Sequence, residues 1–160
     1  MPVTSRIEEV RNEITTLAQA APTPKELMRG VCKLLNERML KYNWVGFYML
    51  EPGAQPPVLV LEAFVGAMTP HTRIPLNQGI CGAAASSGKT IVVDDVSKDP
   101  RYLACSLETK SEIVVPIFVA KQVAGELDID SHFSAAFGDE DQKLVQYCAE
   151  VIGKRLEKSK

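Results

Sequence analysis

Apolar residues recur every three or four positions in the first forty residues, which is the spacing of one buried helix face. Two helices are therefore predicted between about residues 5 and 40. Ser5 and Glu8 form a capping-box pair at the start of the first helix. Thr23 caps the second helix and Pro24 occupies its first position. The apolar positions of the two helices are Ile7, Val10, Ile14 and Leu17, then Leu27, Val31, Leu34 and Leu35.

From Trp44 onward the pattern changes to short β-rich segments. The segments NWVGFYML and VLVLEAFV are separated by EPGAQPP, which predicts an antiparallel pair joined by a hairpin. A short strand is predicted in TIVVDDV. The segments SEIVVPIFV and QVAGELDID are separated only by about Ala120 and Lys121, which predicts a second hairpin.

The remaining segments complete an α+β arrangement. RIPLNQGICGAAASSGK is predicted to be a loop that enters a short helix at Gly82 and leaves it at Gly88. A last helix is predicted over about residues 139–157, capped by Asp139. We therefore expect one domain over residues 1–160, in which helices pack on one face of a mostly antiparallel sheet that spans about residues 43–132.

Composition and charge narrow the range of possible functions. The 160 residues are 46% hydrophobic and 24% charged, so a folded core is expected. A formal net charge of −2 provides no general attraction for nucleic acid. No apolar run is long enough to cross a bilayer, and the start MPVTSRIEEV lacks the layout of a signal peptide. We expect a cytoplasmic protein that binds neither nucleic acid nor membrane.

The four cysteines differ in their surroundings. No CxxC pair occurs and the chain has two histidines, so no metal site is predicted. Cys32 and Cys148 lie on predicted amphipathic helices and are interpreted as buried apolar residues. Cys81 stands at the start of a predicted helix, whose N–H groups and dipole could stabilise a thiolate.

Cys105 lies in a polar loop between Arg101 and Lys110, either of which would lower the pKa of a nearby thiol. Cys81 and Cys105 are thus the candidate reactive thiols. The alternative interpretation, that both are incidental loop cysteines, stays open at this point.

Carboxylates alternate with apolar residues in GELDIDS, so Glu126, Asp128 and Asp130 share one face of a strand. Glu112 begins the preceding strand. Such a face is either solvated or the floor of a pocket, in which like charges raise one another's pKa or bind a cation such as an α-ammonium group. A small zwitterionic ligand would suit the second interpretation.

Trp44 and Tyr48 are spaced so that both lie on one face of a strand, with Gly46 between them. They either pack in the core or form an aromatic box around an alkyl or sulfur group. His71 and His132 are isolated in the sequence and are interpreted as surface or loop residues.

Several of these segments together resemble a known family. NWVGFY, RIPLNQGICGAAASSGKTIVVDDV, LACS, SEIVVPI and GELDIDS are similar to segments of GAF domains, and most similar to those of the free methionine-(R)-sulfoxide reductases. The resemblance extends from about the second helix to the end of the chain. It implies a central antiparallel sheet with helices on one face and a ligand pocket on the other.

The resemblance also implies roles for individual residues. Cys105 matches the catalytic cysteine, whose thiolate attacks the sulfoxide sulfur while Glu112 or Asp128 donates a proton to the oxygen. Methionine leaves, and Cys81 traps the Cys105 sulfenic acid as a disulfide that thioredoxin reduces. No bound cofactor is implied. The matching substrate-binding residues are Trp44, Tyr48, Glu112, Asp128 and Asp130.

Two positions depart from the family pattern. His71 occupies about the position of another resolving cysteine, and Ser106 follows Cys105 where an acid is common. An alternative therefore stays open, in which the chain is a non-catalytic GAF domain that binds a small molecule in signal transduction. Pairing of two copies through terminal helices, giving a homodimer, also stays open.

Overall fold

The computed structural model describes residues 5–103 and 107–159. These residues form four α-helices, a short 3-10 helix (Val96–Lys98) and six strands. The helices are α1 (Arg6–Ala20), α2 (Pro24–Arg38), α3 (Gly79–Ser87) and α4 (Asp139–Lys158). The strands are β1 (Trp44–Leu50), β2 (Val58–Val65), β3 (Arg73–Pro75), β4 (Ile91–Val93), β5 (Ser111–Val119) and β6 (Gln122–Ser131).

The strands form one antiparallel sheet in the order β3-β2-β1-β6-β5-β4. The two predicted hairpins are present, β1 with β2 and β5 with β6. Ala120 and Lys121 turn the second hairpin with φ values of 50° and 68°, the left-handed conformation that a two-residue turn requires. Pro116 lies beyond the residues of β5 that pair with β4, so the strand has a single neighbour there.

Helix boundaries follow the predicted caps at the N-terminal end of the chain. The Ser5 hydroxyl accepts a hydrogen bond from the Glu8 N–H, and the Thr23 hydroxyl accepts one from the Glu26 N–H, each at 3.1 Å. In α4 the prediction is wrong in detail, because the Asp141 carboxylate, and not Asp139, accepts the Gly138 N–H.

The segment before Gly88 also differs from the prediction. Arg73–Pro75 is a strand rather than a loop, because it pairs with β2. The following helix begins at Gly79 rather than Gly82. Gly79 has a φ of 71°, which favours glycine and lets the chain turn into the helix. Gly88 ends α3 in the left-handed conformation, as the sequence predicts.

Each face of the sheet has its own apolar cluster. Helices α1, α2 and α4 cover one face, where Phe47, Leu127 and Ile129 are fully buried. Helix α3 covers part of the other face, where Tyr48 and Leu59 are buried. The predicted α+β arrangement is confirmed, with three helices on one side of the antiparallel sheet and the polar residues of interest on the other. No helix in residues 5–103 and 107–159 combines the length and apolarity that a membrane span requires.

Candidate functional site

The strand register brings four carboxyl groups together on the face that α3 covers. Asp130 of β6 pairs with Glu112 of β5, and Asp128 pairs with Val114. Glu126 and Asp128 point to the same side as Asp130, because side chains alternate along a strand. All four acids are buried, with at most 5% of their surface exposed. The interpretation of this face as solvated is therefore wrong.

Cys81 in the first turn of α3 lies directly over these acids. Its Sγ atom and carboxylate oxygens of Glu112 and Asp128 all lie within 4.8 Å of one another. Such donors are of kinds that bind divalent cations. Burial raises the pKa of both carboxyl groups, however, and a metal ligand must be deprotonated, so we assign no metal site.

Burial raises the pKa of the Cys81 thiol well above its ordinary value, and the carboxylates of Asp128, Glu126 and Glu112 raise it further. The expectation that the helix N-terminus stabilises a thiolate at Cys81 is thus wrong for this state. The physical reason is that dehydration and adjacent negative charge outweigh the partial positive charge of the helix end.

The acids themselves are shifted toward their neutral forms. Burial raises the pKa of Glu112 well above its usual range, and the charges of Asp128 and Asp130 add to the increase. Burial and then the charge of Asp128 raise the pKa of Asp130. Burial also raises the pKa of Asp128, although hydrogen bonds from Glu112 and Cys81 oppose the increase. Burial therefore favours the neutral form of these carboxyl groups, which can donate a proton.

Three of these acids, Glu126, Asp128 and Asp130, keep a carboxylate oxygen that has no hydrogen-bond partner among the described residues. Oδ1 of Asp128 and Oδ1 of Asp130 are buried and receive no hydrogen bond from the described residues. Burying a hydrogen-bond acceptor without a donor costs free energy of folding. A primary ammonium group offers three N–H donors and a positive charge, which matches what these atoms lack.

The aromatic pair predicted from β1 lies beside the acids. The rings of Trp44 and Tyr48 have centroids 6.3 Å apart, and Trp44 stacks on Phe64 at 5.8 Å. The indole covers Gly46, where a Cβ atom would overlap it. The indole Nε1 donates to the carbonyl of Ala67 at 3.0 Å. The sequence analysis missed Phe64, which strand alternation on β2 could have indicated.

His71 lies in the wall of the same site. The Tyr48 hydroxyl donates to the His71 carbonyl at 2.7 Å, and His71 lines a cavity with Cys81 and Glu112. His71 lies in a loop, as predicted, but it is half-buried and lines the site. His132, in contrast, is half-exposed, and its Nε2 lies 3.5 Å from a carboxylate oxygen of Glu108.

Two small cavities border the acids. The cavity beside Cys81, Glu112 and Asp128 has a volume of about 20 Å³. A second cavity of about 90 Å³ is bounded by Trp44 and Asp130. Larger grooves of about 390 and 540 Å³ lie beside α4, and neither is lined by a cysteine or a cluster of acids. Cys81, the acids and the aromatic residues thus surround the two smaller cavities.

The other cysteines divide as follows. Cys105 lies outside the described residues. Arg101, a candidate for lowering its pKa, binds Asp99 through two hydrogen bonds of 2.7 and 3.0 Å. Cys32 and Cys148 are buried between the helices and the sheet, as predicted. Burial raises the pKa of Cys148 to about 12.

Comparisons with known proteins identify a family and relatives of this chain. The family model of the GAF domain matches residues 23–156. The free methionine-R-sulfoxide reductase of Escherichia coli (strain K12) is 40% identical over 123 residues, which cover 77% of this chain and 72% of that protein.

Two solved structures are similar over most of their length. The free methionine-R-sulfoxide reductase of Neisseria meningitidis, in complex with its substrate, has a TM-score of 0.89 and 33% identity, covering 99% of this chain and 95% of that chain. A type II free methionine-R-sulfoxide reductase from Thermoplasma acidophilum has a TM-score of 0.78 and 39% identity, covering 89% of this chain and 96% of that chain.

Proposed function

The chain belongs to the GAF domain family, and on that premise we propose that it reduces free L-methionine-(R)-sulfoxide to methionine with an external thiol. Its similarity to free methionine-R-sulfoxide reductases over most of the chain supports this substrate. The single observation that carries the proposal is the buried group of acids beside Cys81, with acceptor atoms left without donors.

The functional groups of the substrate match those of the site in charge and polarity. Its ammonium group supplies the donors that Asp128 and Asp130 lack. Its methyl group and sulfur suit the aromatic surface of Trp44 and Tyr48, since sulfur and alkyl groups pack well against aromatic rings. Glu112 or Asp128, neutral through burial, can donate a proton to the sulfoxide oxygen.

Binding requires the site to open. A cavity of about 20 Å³ holds about one water molecule. Methionine sulfoxide has about ten heavy atoms and needs several times the roughly 30 Å³ that one water takes up in the liquid. We therefore expect the two cavities beside the acids to join, with their walls moving apart, when the substrate binds.

The catalytic cycle follows from thiol chemistry. The Cys105 thiolate attacks the sulfoxide sulfur, the oxygen passes to Cys105 as a sulfenic acid, and methionine leaves. The Cys81 thiol then forms a disulfide with Cys105, and the oxygen leaves as water. A dithiol such as thioredoxin reduces the disulfide and restores both thiols.

The proposed chemistry implies a cellular location. Reduction of a disulfide by thioredoxin requires a reducing compartment, so we place the protein in the cytoplasm.

A homodimer is compatible with the proposed site. Pairing of two copies through terminal helices would leave the acid face free, because the acids lie on the opposite side of the sheet from α1 and α4.

The test is turnover of free L-methionine-(R)-sulfoxide by the purified protein, with dithiothreitol or thioredoxin as reductant. We expect Cys105→Ser to abolish turnover with both reductants. Cys81→Ser should lose mainly the thioredoxin-supported rate. Cys32→Ser is the matched control, because Cys32 is buried on the other face of the sheet, and it should retain activity.

A binding-only protein would behave differently. Wild-type protein would then give no methionine with either reductant, and Cys105→Ser would bind a small ligand as tightly as the wild type. That result would contradict the reductase and favour the non-catalytic GAF domain. The (S)-epimer of the sulfoxide serves as the substrate control and should not be reduced.

A further inference from the structure

The Trp44 indole is held in place by strand β2 and the segment that follows it. The ring of Phe64 on β2 stacks on the indole, with centroids 5.8 Å apart and ring planes 19° apart. The indole Nε1 donates to the Ala67 carbonyl at 3.0 Å. The indole in turn borders the cavity of about 90 Å³ beside Asp130. Phe64 therefore packs directly behind a wall of the proposed substrate site.

The strand register places Phe64 and Asp128 on opposite sides of Gly46. Gly46 of β1 pairs with Phe64 of β2 on one side and with Asp128 of β6 on the other. Residues that lie directly opposite one another on neighbouring strands point to the same face, and the strands are about 4.8 Å apart. Because Gly46 has no side chain, a space remains above it between Phe64 and Asp128.

The indole of Trp44 fills this space. A Cβ atom at position 46 would overlap the Cη2 and Cζ3 atoms of the indole, so the six-membered ring lies over the Gly46 backbone. Phe64 contacts the indole from the β2 side, and Asp128 lies on the β6 side. Phe64 thus occupies the place into which the indole would move if it turned away from the acids.

The other contacts of the indole restrain it less. The hydrogen bond to Ala67 fixes one indole atom but not the tilt of the ring. The Tyr48 ring is farther away than that of Phe64, with centroids 6.3 Å apart, and is inclined by 30°. Among the described residues, Phe64 therefore gives the indole its closest and most nearly parallel ring contact.

We propose that Phe64 is a positioning residue, which keeps the Trp44 indole above Gly46 and beside the acids. This inference rests on the proposed function, in which the indole packs on the methyl group and sulfur of the sulfoxide. Stacked rings hold one another in a preferred orientation. A substrate that meets an indole already in place loses less free energy in ordering the site. An aliphatic residue at position 64 would let the indole turn toward β2.

The experiment compares Phe64→Leu, which removes the ring, with Phe64→Tyr, which keeps it. Turnover of free L-methionine-(R)-sulfoxide with dithiothreitol gives KM and kcat. For Phe64→Leu we expect KM to rise about tenfold with kcat unchanged, since a contact that is equal in the bound substrate and the transition state affects KM alone. A tenfold rise corresponds to about 1.4 kcal/mol, within the range of an aromatic pair. Phe64→Tyr should keep the KM of the wild type.

Phe118→Leu is the matched control, because Phe118 is half-exposed on β5 and lines the groove beside α4. It also loses a phenylalanine ring, and its KM should equal that of the wild type. If Phe64→Leu does not fold, Phe64→Met takes its place, since a flexible methionine fills irregular gaps. An unchanged KM in the folded variant at position 64, or an equal rise in Phe118→Leu, would overturn the inference.

Spectroscopy of the sole tryptophan tests the inference without turnover. Nuclear Overhauser contacts are expected between the indole ring protons and the α-protons of Gly46, because the ring lies over this residue. Phe64→Leu should weaken these contacts and the near-UV circular dichroism of the indole, and Phe64→Tyr should retain both. Wild-type protein that forms no methionine would refute the proposed function but leave this test in force. Indole–Gly46 contacts that are unchanged in Phe64→Leu would show that Phe64 does not position the ring.

Discussion

The buried acids predict that the folded protein loses stability as pH rises toward neutrality. Unfolded Asp and Glu ionise near pH 4. Burial raises the pKa of Glu112, Asp130 and Glu126 well above this, so the folded state keeps protons that the unfolded state has released. Stability is therefore fully present below the pKa of the unfolded groups, and the free energy of unfolding falls as pH rises from there through the folded pKa.

The separation of the acids sets the size of the effect. Two ionised carboxylates at 4.8 Å, the upper limit for Glu112 and Asp128, would repel by about 3 kcal/mol at an effective dielectric constant of about 20. For each carboxyl that stays protonated in the folded state but not in the unfolded state, the free energy of unfolding falls by about 1.4 kcal/mol for every unit that the pH rises. Between pH 5.5 and 7.5, one such group therefore accounts for at most about 3 kcal/mol, the limit reached if it stays protonated throughout.

Urea denaturation at pH 5.5, 6.5 and 7.5 measures this slope. Glu112→Gln should reduce it, because the amide does not titrate, whereas Glu62→Gln should leave it unchanged. The lowered pKa values of Asp95 and Asp99 act below about pH 4, outside this window. A free energy of unfolding that is constant or rises from pH 5.5 to 7.5 would refute the reasoning, as would equal slopes in the wild type and Glu112→Gln.

Three further predictions concern the aromatic wall and the remaining cysteines. Gly46→Ala places a methyl group where the Trp44 indole lies. We therefore expect altered fluorescence of this sole tryptophan and a raised KM for the sulfoxide. An unchanged KM would contradict this prediction. Tyr48→Phe loses a buried hydrogen bond and should lower the free energy of unfolding by about 1 kcal/mol; equal stability in urea would count against that bond. Cys32 and Cys148 are fully buried and should react with iodoacetamide only in urea, so mass spectrometry that finds either one labelled in the native protein would show that the core is open there.

Much of the fold could be predicted because its signals are local. Caps at Ser5 and Thr23 and the two-residue turn at Ala120 and Lys121 depend on neighbours in the sequence, and the structure has them as predicted. The start of α3 could not be placed in the same way. It depends on a positive φ at Gly79, one of several glycines in that segment that could have begun the helix.

The sequence by itself determined which side chains share a face, because alternation along β6 places Glu126, Asp128 and Asp130 together whatever packs on them. It also supplied the motifs that identify the family. Only the tertiary structure decided that this face is buried away from solvent. Helix α3 packs on it and brings Cys81 within 4.8 Å of Glu112 and Asp128. The helix end favours a thiolate locally, but the pKa of Cys81 depends on dehydration and on charges brought from distant segments, which is why it rises instead.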